Sequence, residues 1–121
     1  MKTKDNGVVI LGNEKILHLT LKKKWFDMIA SGEKKEEYRE CKPYWYARLC
    51  CGFPTLYSPK DYDFILFKNG YGKNAPTMKV ECLGISRGEA KPEWSDNWEG
   101  TVYIIKLGKV FNTLSQEDKT T

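Results

Sequence analysis

The chain has 121 residues, of which 40% are hydrophobic and 13% aromatic, and its formal net charge is +4. This length allows one domain with one core, and this composition excludes a disordered chain. No apolar run approaches the roughly 18 residues that a membrane-spanning helix needs, and residues 1–7 lack the apolar centre of a signal peptide. We therefore expect a cytoplasmic protein without membrane contact.

The first predicted elements are a strand and a short helix. Leucines alternate with polar side chains over residues 17–21, and this period of two predicts a strand with one buried face. Residues 23–31 then carry apolar side chains at helical spacing, on Trp25, Met28 and Ile29. This pattern predicts an amphipathic helix of about two turns.

The most informative segment is GEKKEEYR, directly behind this helix. Gly32 is the expected end of the helix, because glycine adopts the left-handed conformation without a steric penalty. Lys34 lies at the following turn, and a second strand is predicted over residues 36–40, in which Glu37 and Arg39 point to the same face. Three charges at fixed offsets are typical of a polar cleft that holds a ligand. A structural ion pair between Glu37 and Arg39 at a barrel mouth is the alternative.

The rest of the chain predicts more strands and no further long helix. Alternating or continuous apolar residues indicate strands over residues 63–68, 77–85 and 101–110, with a turn at Asn69-Gly70. Residues 42–60 and 87–100 are expected to be loops, and residues 8–11 an additional edge strand. One early helix without β-α-β alternation favours an α+β fold, built on a small, mixed, mostly antiparallel β-barrel.

The run over residues 17–46 resembles the ASCH domain. The family signature, Gly-x-Lys-x-x-Glu-x-Arg, is carried here by Gly32, Lys34, Glu37 and Arg39. The resemblance extends over residues 15–110, with residues 1–14 as a lead and residues 111–121 as a polar tail. It implies a PUA-like β-barrel with one or two short helices.

The resemblance also implies two classes of function. The first is an RNA-binding module that holds a single-stranded segment, or one extruded or modified base, in a basic, aromatic-lined cleft. The second is a small hydrolase that acts on RNA, as a ribonuclease, or on N4-acetylcytidine, as an amidohydrolase. In the amidohydrolases the motif lysine, matched by Lys34, acts with a hydroxyl residue three positions further on. Glu37 occupies that position here, so these two residues are the catalytic candidates if the protein is an enzyme.

Charge and aromatic residues extend the candidate binding site. Residues 1–48 contain eleven basic and seven acidic side chains, so the entire positive excess lies in the segment that carries the motif. Basic side chains beside exposed aromatic rings suit single-stranded RNA, because they contact phosphates while the rings stack on bases. The expected ligand-binding residues, for RNA or a nucleoside, are Lys22, Lys23, Lys24, Lys34, Glu37, Arg39, Trp45 and Tyr71.

The four cysteines, at positions 41, 50, 51 and 82, contain no Cys-x-x-Cys pair. Zinc sites normally need that spacing, and reduced thiols are expected in a cytoplasmic protein. We therefore predict neither a metal site nor a cofactor.

Overall fold

The computed structural model describes residues 14–51, 58–96 and 98–114, and within these ranges the chain forms one curled sheet with two helices. The elements in chain order are β1 (Ile16–Leu21), α1 (Lys23–Ala30), β2 (Glu36–Glu40), α2 (Pro43–Leu49), β3 (Phe64–Asn69), β4 (Thr77–Glu89), a 3₁₀ turn (Pro92–Trp94) and β5 (Thr101–Leu114). The predicted α+β class is confirmed.

The sheet has the order β1-β3-β4-β5-β2. The β1–β3 pair is parallel, and the other three pairs are antiparallel, which confirms the mixed, mostly antiparallel sheet. Between Lys79 and Gly84 the register of β4 against β5 shifts several times. Such bulges bend a strand and increase its twist, so they account for the curl of the sheet. The result is a half-barrel, in which β1 and β2 are the two edges.

The core lies between this sheet and α1, which packs against β1, β3 and β5. The alternating leucines of β1 are buried, as the period of two predicts, and so are Trp25 and Ile29 of α1. Gly32 ends the helix region with a φ of 88°, the left-handed conformation expected of it. The other large buried side chains are Phe26, Tyr38, Leu49, Ile65, Phe67, Met78, Val80, Tyr103 and Ile105.

The sequence-based prediction missed one helix and placed the ends of two strands too early. The long loop expected over residues 42–60 contains α2, which begins at Pro43, a residue whose fixed φ and missing N–H suit the first turn of a helix. Its three consecutive aromatic residues therefore lie on a helix rather than in a loop. The fourth strand continues to Glu89 and the fifth to Leu114, so the first residues of the predicted tail belong to the sheet. The edge strand predicted over residues 8–11 lies outside the described residues.

Candidate functional site

A cavity of about 390 Å³ lies where the half-barrel is open, between the edge strands β1 and β2. Its walls come from the end of β1, from α1, from β2, from the turn after β3 and from the segment around the 3₁₀ turn. The lining residues are Thr20, Leu21, Lys22, Trp25, Glu37, Tyr38, Arg39, Gly70, Tyr71, Trp94, Ser95, Asp96 and Trp98. Five of them are aromatic and six have polar or charged side chains, so flat ring surfaces lie beside polar groups.

The three charges of the motif meet at Glu37. Its Oε1 lies 3.3 Å from Lys34 Nζ, and its Oε2 lies 2.8 Å from Arg39 Nη2. All three side chains are largely buried, with exposed fractions of 8% for Glu37, 1% for Lys34 and 16% for Arg39. A buried carboxylate is tolerated when it is paired and hydrogen-bonded, and two cations satisfy that condition here. The predicted placement of Glu37 and Arg39 on one face of β2 is confirmed, and the two side chains form the ion pair that was the alternative to a purely ligand-binding role.

Lys34 directs its ammonium into the protein. Besides Glu37, Nζ donates to the carbonyl oxygen of Glu36 at 2.6 Å and to that of Trp94 at 2.8 Å. An ammonium has three hydrogens, so these three acceptors use its full capacity. Lys34 is not among the residues that line the cavity; it lies behind them, 5.2 Å from the Trp25 ring centroid and 4.8 Å from that of Tyr38.

The protonation of Lys34 reflects two opposing effects. Burial lowers the pKa of the ammonium below its ordinary value, and the nearby Glu37 carboxylate offsets part of this change. Desolvation disfavours the charged form, whereas an opposite charge favours it. A lowered pKa is common to catalytic lysines. The contacts of Lys34 Nζ instead indicate a structural role, because they link β2 to the segment at Trp94.

Arg39 does line the cavity. It donates to the carbonyl oxygen of Thr20 at 3.1 Å, and its guanidinium carbon lies 4.9 Å from the ring centroid of Trp45. The hydrogen bond joins the two edge strands through a side chain. Arg39 Nε is a buried donor for which the described residues offer no acceptor. Such a buried donor costs free energy when it has no partner.

The segment from Lys91 to Asp96 forms the roof of the cavity and is attached on two sides. On the β2 side, the Lys91 N–H donates to the Tyr38 hydroxyl at 3.2 Å, next to the Lys34 contact with Trp94. On the opposite side, Asp96 accepts hydrogen bonds from Lys22 Nζ at 3.3 Å and from the Trp25 indole N–H at 3.4 Å. The roof is therefore attached to β2 on one side and to the residues that follow β1 on the other.

The structure divides the predicted site residues into three groups. Glu37, Arg39, Lys22 and Tyr71 line the cavity, and the Tyr71 side chain at its rim is 88% exposed. Lys34 and Trp45 lie behind this lining and contact it. Lys23 and Lys24 are exposed on the first turn of α1, outside the lining. Whether each of these residues contacts a ligand stays a prediction.

Sequence reasoning missed part of the lining. Trp25 belongs to the apolar stripe of α1 and was expected to face only the core, and Tyr38 was not singled out. Trp94 and Trp98 lie in the segment that the sequence predicts only as a loop, and nothing in the sequence placed them opposite the motif. Asp96 carried no signal at all, because its role depends on a contact with residues more than seventy positions earlier.

A second, more open cavity of about 520 Å³ adjoins the first. It lies at the end of β2 and the beginning of β5, which are neighbours in the sheet because Glu40 pairs with Val102. Its lining residues are Glu40, Cys41, Lys42, Trp98, Glu99, Thr101 and Val102. Of the described lining residues, Trp98 alone belongs to both cavities.

The described residues contain no group of three or more histidine, cysteine or acidic side chains that could hold a metal ion. All four cysteines are free thiols, and burial raises the pKa of Cys41, Cys50 and Cys82 above the ordinary range. Reactive cysteines have a lowered pKa instead, so these three thiols lack that property. Within the same residues, no helix is long and apolar enough to cross a membrane.

Comparisons of this chain with protein-family models, with curated proteins and with solved structures find no match. Function is therefore inferred from the cavity. Two of its polar side chains, the Glu37 carboxylate and the Arg39 guanidinium, place an acceptor beside donors among aromatic rings. That combination suits a planar ring whose edge carries both a donor and an acceptor.

Proposed function

We propose that this protein is an ASCH-type, PUA-like RNA-binding module of the cytoplasm, which takes one extruded or modified base of single-stranded RNA into the cavity between β1 and β2. The single observation that carries the proposal is the lining of this cavity. Five aromatic residues contribute to its walls, and the carboxylate of Glu37 and the guanidinium of Arg39 lie side by side among them.

The size and chemistry of the cavity support a base as its occupant. A volume of about 390 Å³ falls within the range of about 300–1,000 Å³ that is typical of small-molecule sites. Unpaired bases are commonly held by stacking on aromatic rings and by hydrogen bonds along one edge. Glu37 can accept from an amino or imino group of a base, and Arg39 can donate to a neighbouring ring nitrogen or carbonyl oxygen.

The basic side chains next to the cavity suit the phosphates of a flanking strand. Lys22, at the cavity wall, and Lys23 are both exposed and form ion pairs with Asp96 and Asp27. Exposed pairs of this kind contribute little free energy, so a phosphate can compete for the lysines. Lys24, whose Nζ lies 4.4 Å from the Trp25 ring centroid, extends the same surface. Lys34 is buried, and we expect no phosphate contact from it.

Binding to single-stranded RNA, measured across a salt series, tests the proposal. We expect weak binding whose logarithm falls linearly with the logarithm of salt concentration, with a slope that corresponds to only a few released counterions. Tyr71→Ala should weaken binding by about five- to 150-fold, the loss expected from one stacked base. Phe111→Ala is the matched control, because Phe111 is also exposed but lies outside the cavity lining. Absence of binding at low salt, or binding that ignores salt, would contradict the proposal.

Hydrolysis of N4-acetylcytidine or of RNA is the alternative function. It would require the Lys34 amine to reach a substrate, and its three protein acceptors weigh against that. Glu37, the other catalytic candidate, is better placed because it lines the cavity. Incubation of the wild-type protein with N4-acetylcytidine, followed by chromatography, tests the amidohydrolase form of this alternative. We expect little or no cytidine, and rapid release would instead make Glu37 the candidate base that activates water.

A further inference from the structure

We propose that the binding unit of this protein is a dinucleotide, with the indole of Trp98 between two consecutive bases. The proposal rests on the proposed function, because it assigns a neighbour to the base held between β1 and β2. It follows from the position of Trp98, which lines both the cavity of about 390 Å³ between β1 and β2 and the more open cavity of about 520 Å³.

The first step is geometric. Successive bases of a single strand stack on aromatic side chains, and a ring that separates two recesses offers each recess one surface. The base in the cavity between β1 and β2 would contact Trp98 from one side. Because Trp98 lines both cavities, a strand that leaves the first cavity past Trp98 would reach the second recess, at the end of β2 and the start of β5.

The second step concerns the chemistry of the open cavity. It contains two carboxylates, Glu40 and Glu99, and one ammonium, Lys42, whose Nζ lies 2.9 Å from Glu40 Oε1. With one negative charge in excess, this recess repels a phosphate more than it attracts one. Carboxylates do accept hydrogen bonds from the amino groups of adenine, cytosine and guanine. The recess therefore suits a base rather than a phosphate, and uracil, which has no amino group, should suit it least.

The third step is the position of the phosphate that would join the two nucleotides. Because the open cavity is acidic, we expect that phosphate to remain outside both recesses, at the solvent side of Trp98. The second base then contributes by stacking and by its amino group. A dinucleotide should accordingly bind about five- to 150-fold more tightly than the corresponding mononucleoside, the range expected for one additional stacked base.

The test compares ribonucleosides with dinucleoside monophosphates on the full chain, by isothermal titration calorimetry. Thr101→Trp is the decisive variant, because Thr101 is exposed at the edge of the open cavity and an aromatic residue is well tolerated in a strand. The new ring should occupy the recess and reduce dinucleotide affinity to that of the nucleoside, while nucleoside affinity stays unchanged. Trp98→Ala should weaken both ligands, and Trp98→Phe should restore most of the preference for the dinucleotide.

The outcomes separate this proposal from the proposed function. Equal affinity of wild-type protein for nucleosides and dinucleotides overturns the dinucleotide unit and leaves the base-binding cavity standing. An unchanged dinucleotide preference in Thr101→Trp also overturns it, because the open cavity would then not hold the second base. If neither ligand binds, both proposals fail. A preference for adenine or cytosine over uracil next to the first base, lost in Glu40→Ala with Glu99→Ala, supports the acidic recess as its source, because alanine leaves no acceptor for the amino group.

Discussion

Replacement of Lys34 by methionine should destabilise the protein strongly, although methionine matches the lysine stem in length and apolar character. The ammonium holds two backbone carbonyls, those of Glu36 and Trp94, and one oxygen of Glu37. Hydrogen bonds to a charged group contribute about 1.5–3 kcal/mol each. Burying a methionine instead of an ammonium recovers part of this free energy, because the charge no longer has to leave water. Glu37 also keeps Arg39 as a partner.

We expect a net loss of about 2–4 kcal/mol in the free energy of unfolding, somewhat less than the roughly 3–5 kcal/mol that breaking a buried ion pair costs, because Glu37 keeps Arg39 as a partner. In a urea titration with a slope of about 2 kcal/mol per molar, this loss lowers the midpoint by about 1–2 M. Lys23→Met is the matched control, because Lys23 is 79% exposed in its pair with Asp27. It should change stability by no more than about 0.5 kcal/mol.

The same pair of variants tests the role of Lys34 in the cavity. Loss of the contact with Trp94 frees the β2 side of the roof, so ligand affinity should fall more in Lys34→Met than in Lys23→Met. A Lys34→Met protein with the stability of the control would refute the assignment of the ammonium as a cross-link. If the Lys34→Met protein also bound RNA with normal affinity and lost only hydrolytic activity, the result would support the hydrolase alternative.

Two further predictions concern backbone conformation and alkaline pH. Gly32→Ala should lower the free energy of unfolding by about 1–2 kcal/mol, because Gly32 has a φ of 88° that an L-residue adopts with strain. Gly72→Ala is the control, since Gly72 has open space around it and no positive φ, and it should be nearly neutral in the same denaturant titration. Burial, reinforced by Cys50, raises the pKa of Tyr103 to about 12, whereas an unfolded chain loses that proton near pH 10, so stability should decline from about pH 10 to 12. Tyr103→Phe should make this decline shallower and the exposed Tyr71→Phe should not; identical slopes in the two variants would contradict the burial argument.

Local patterns predicted the elements that depend on local physics. The alternation of leucines in β1 and the helical spacing in α1 are imposed by which side chains must be buried, and both appear in the structure. The short helix α2 escaped prediction because its aromatic residues have moderate helix propensity and follow a proline, a combination that is equally common in loops. Tertiary contacts, rather than propensity, decide such a segment.

The candidate site shows the same limit at larger distance. The spacing of Glu37 and Arg39 was sufficient to place both side chains on one face of a strand. The spacing could not predict where the Lys34 side chain points, because its acceptor at Trp94 is sixty residues away and belongs to a segment without a regular sequence pattern. Contacts within one strand were therefore predictable from the sequence. The roof was not, because contacts such as that of Asp96 with Lys22 join residues far apart in the chain and appear only in the folded protein.

The gap between β1 and β2 has a thermodynamic consequence. These edges are joined by side chains, such as Arg39 on Thr20, and not by a ladder of backbone hydrogen bonds. A molecule that fills the gap binds the folded state only, so occupancy and folding are linked equilibria. At one hundred times its dissociation constant, a ligand adds about 2.7 kcal/mol, which for a domain of this size raises the melting temperature by roughly 10 °C. A melting screen of nucleosides and short RNAs can thus identify the natural ligand without any assay for activity.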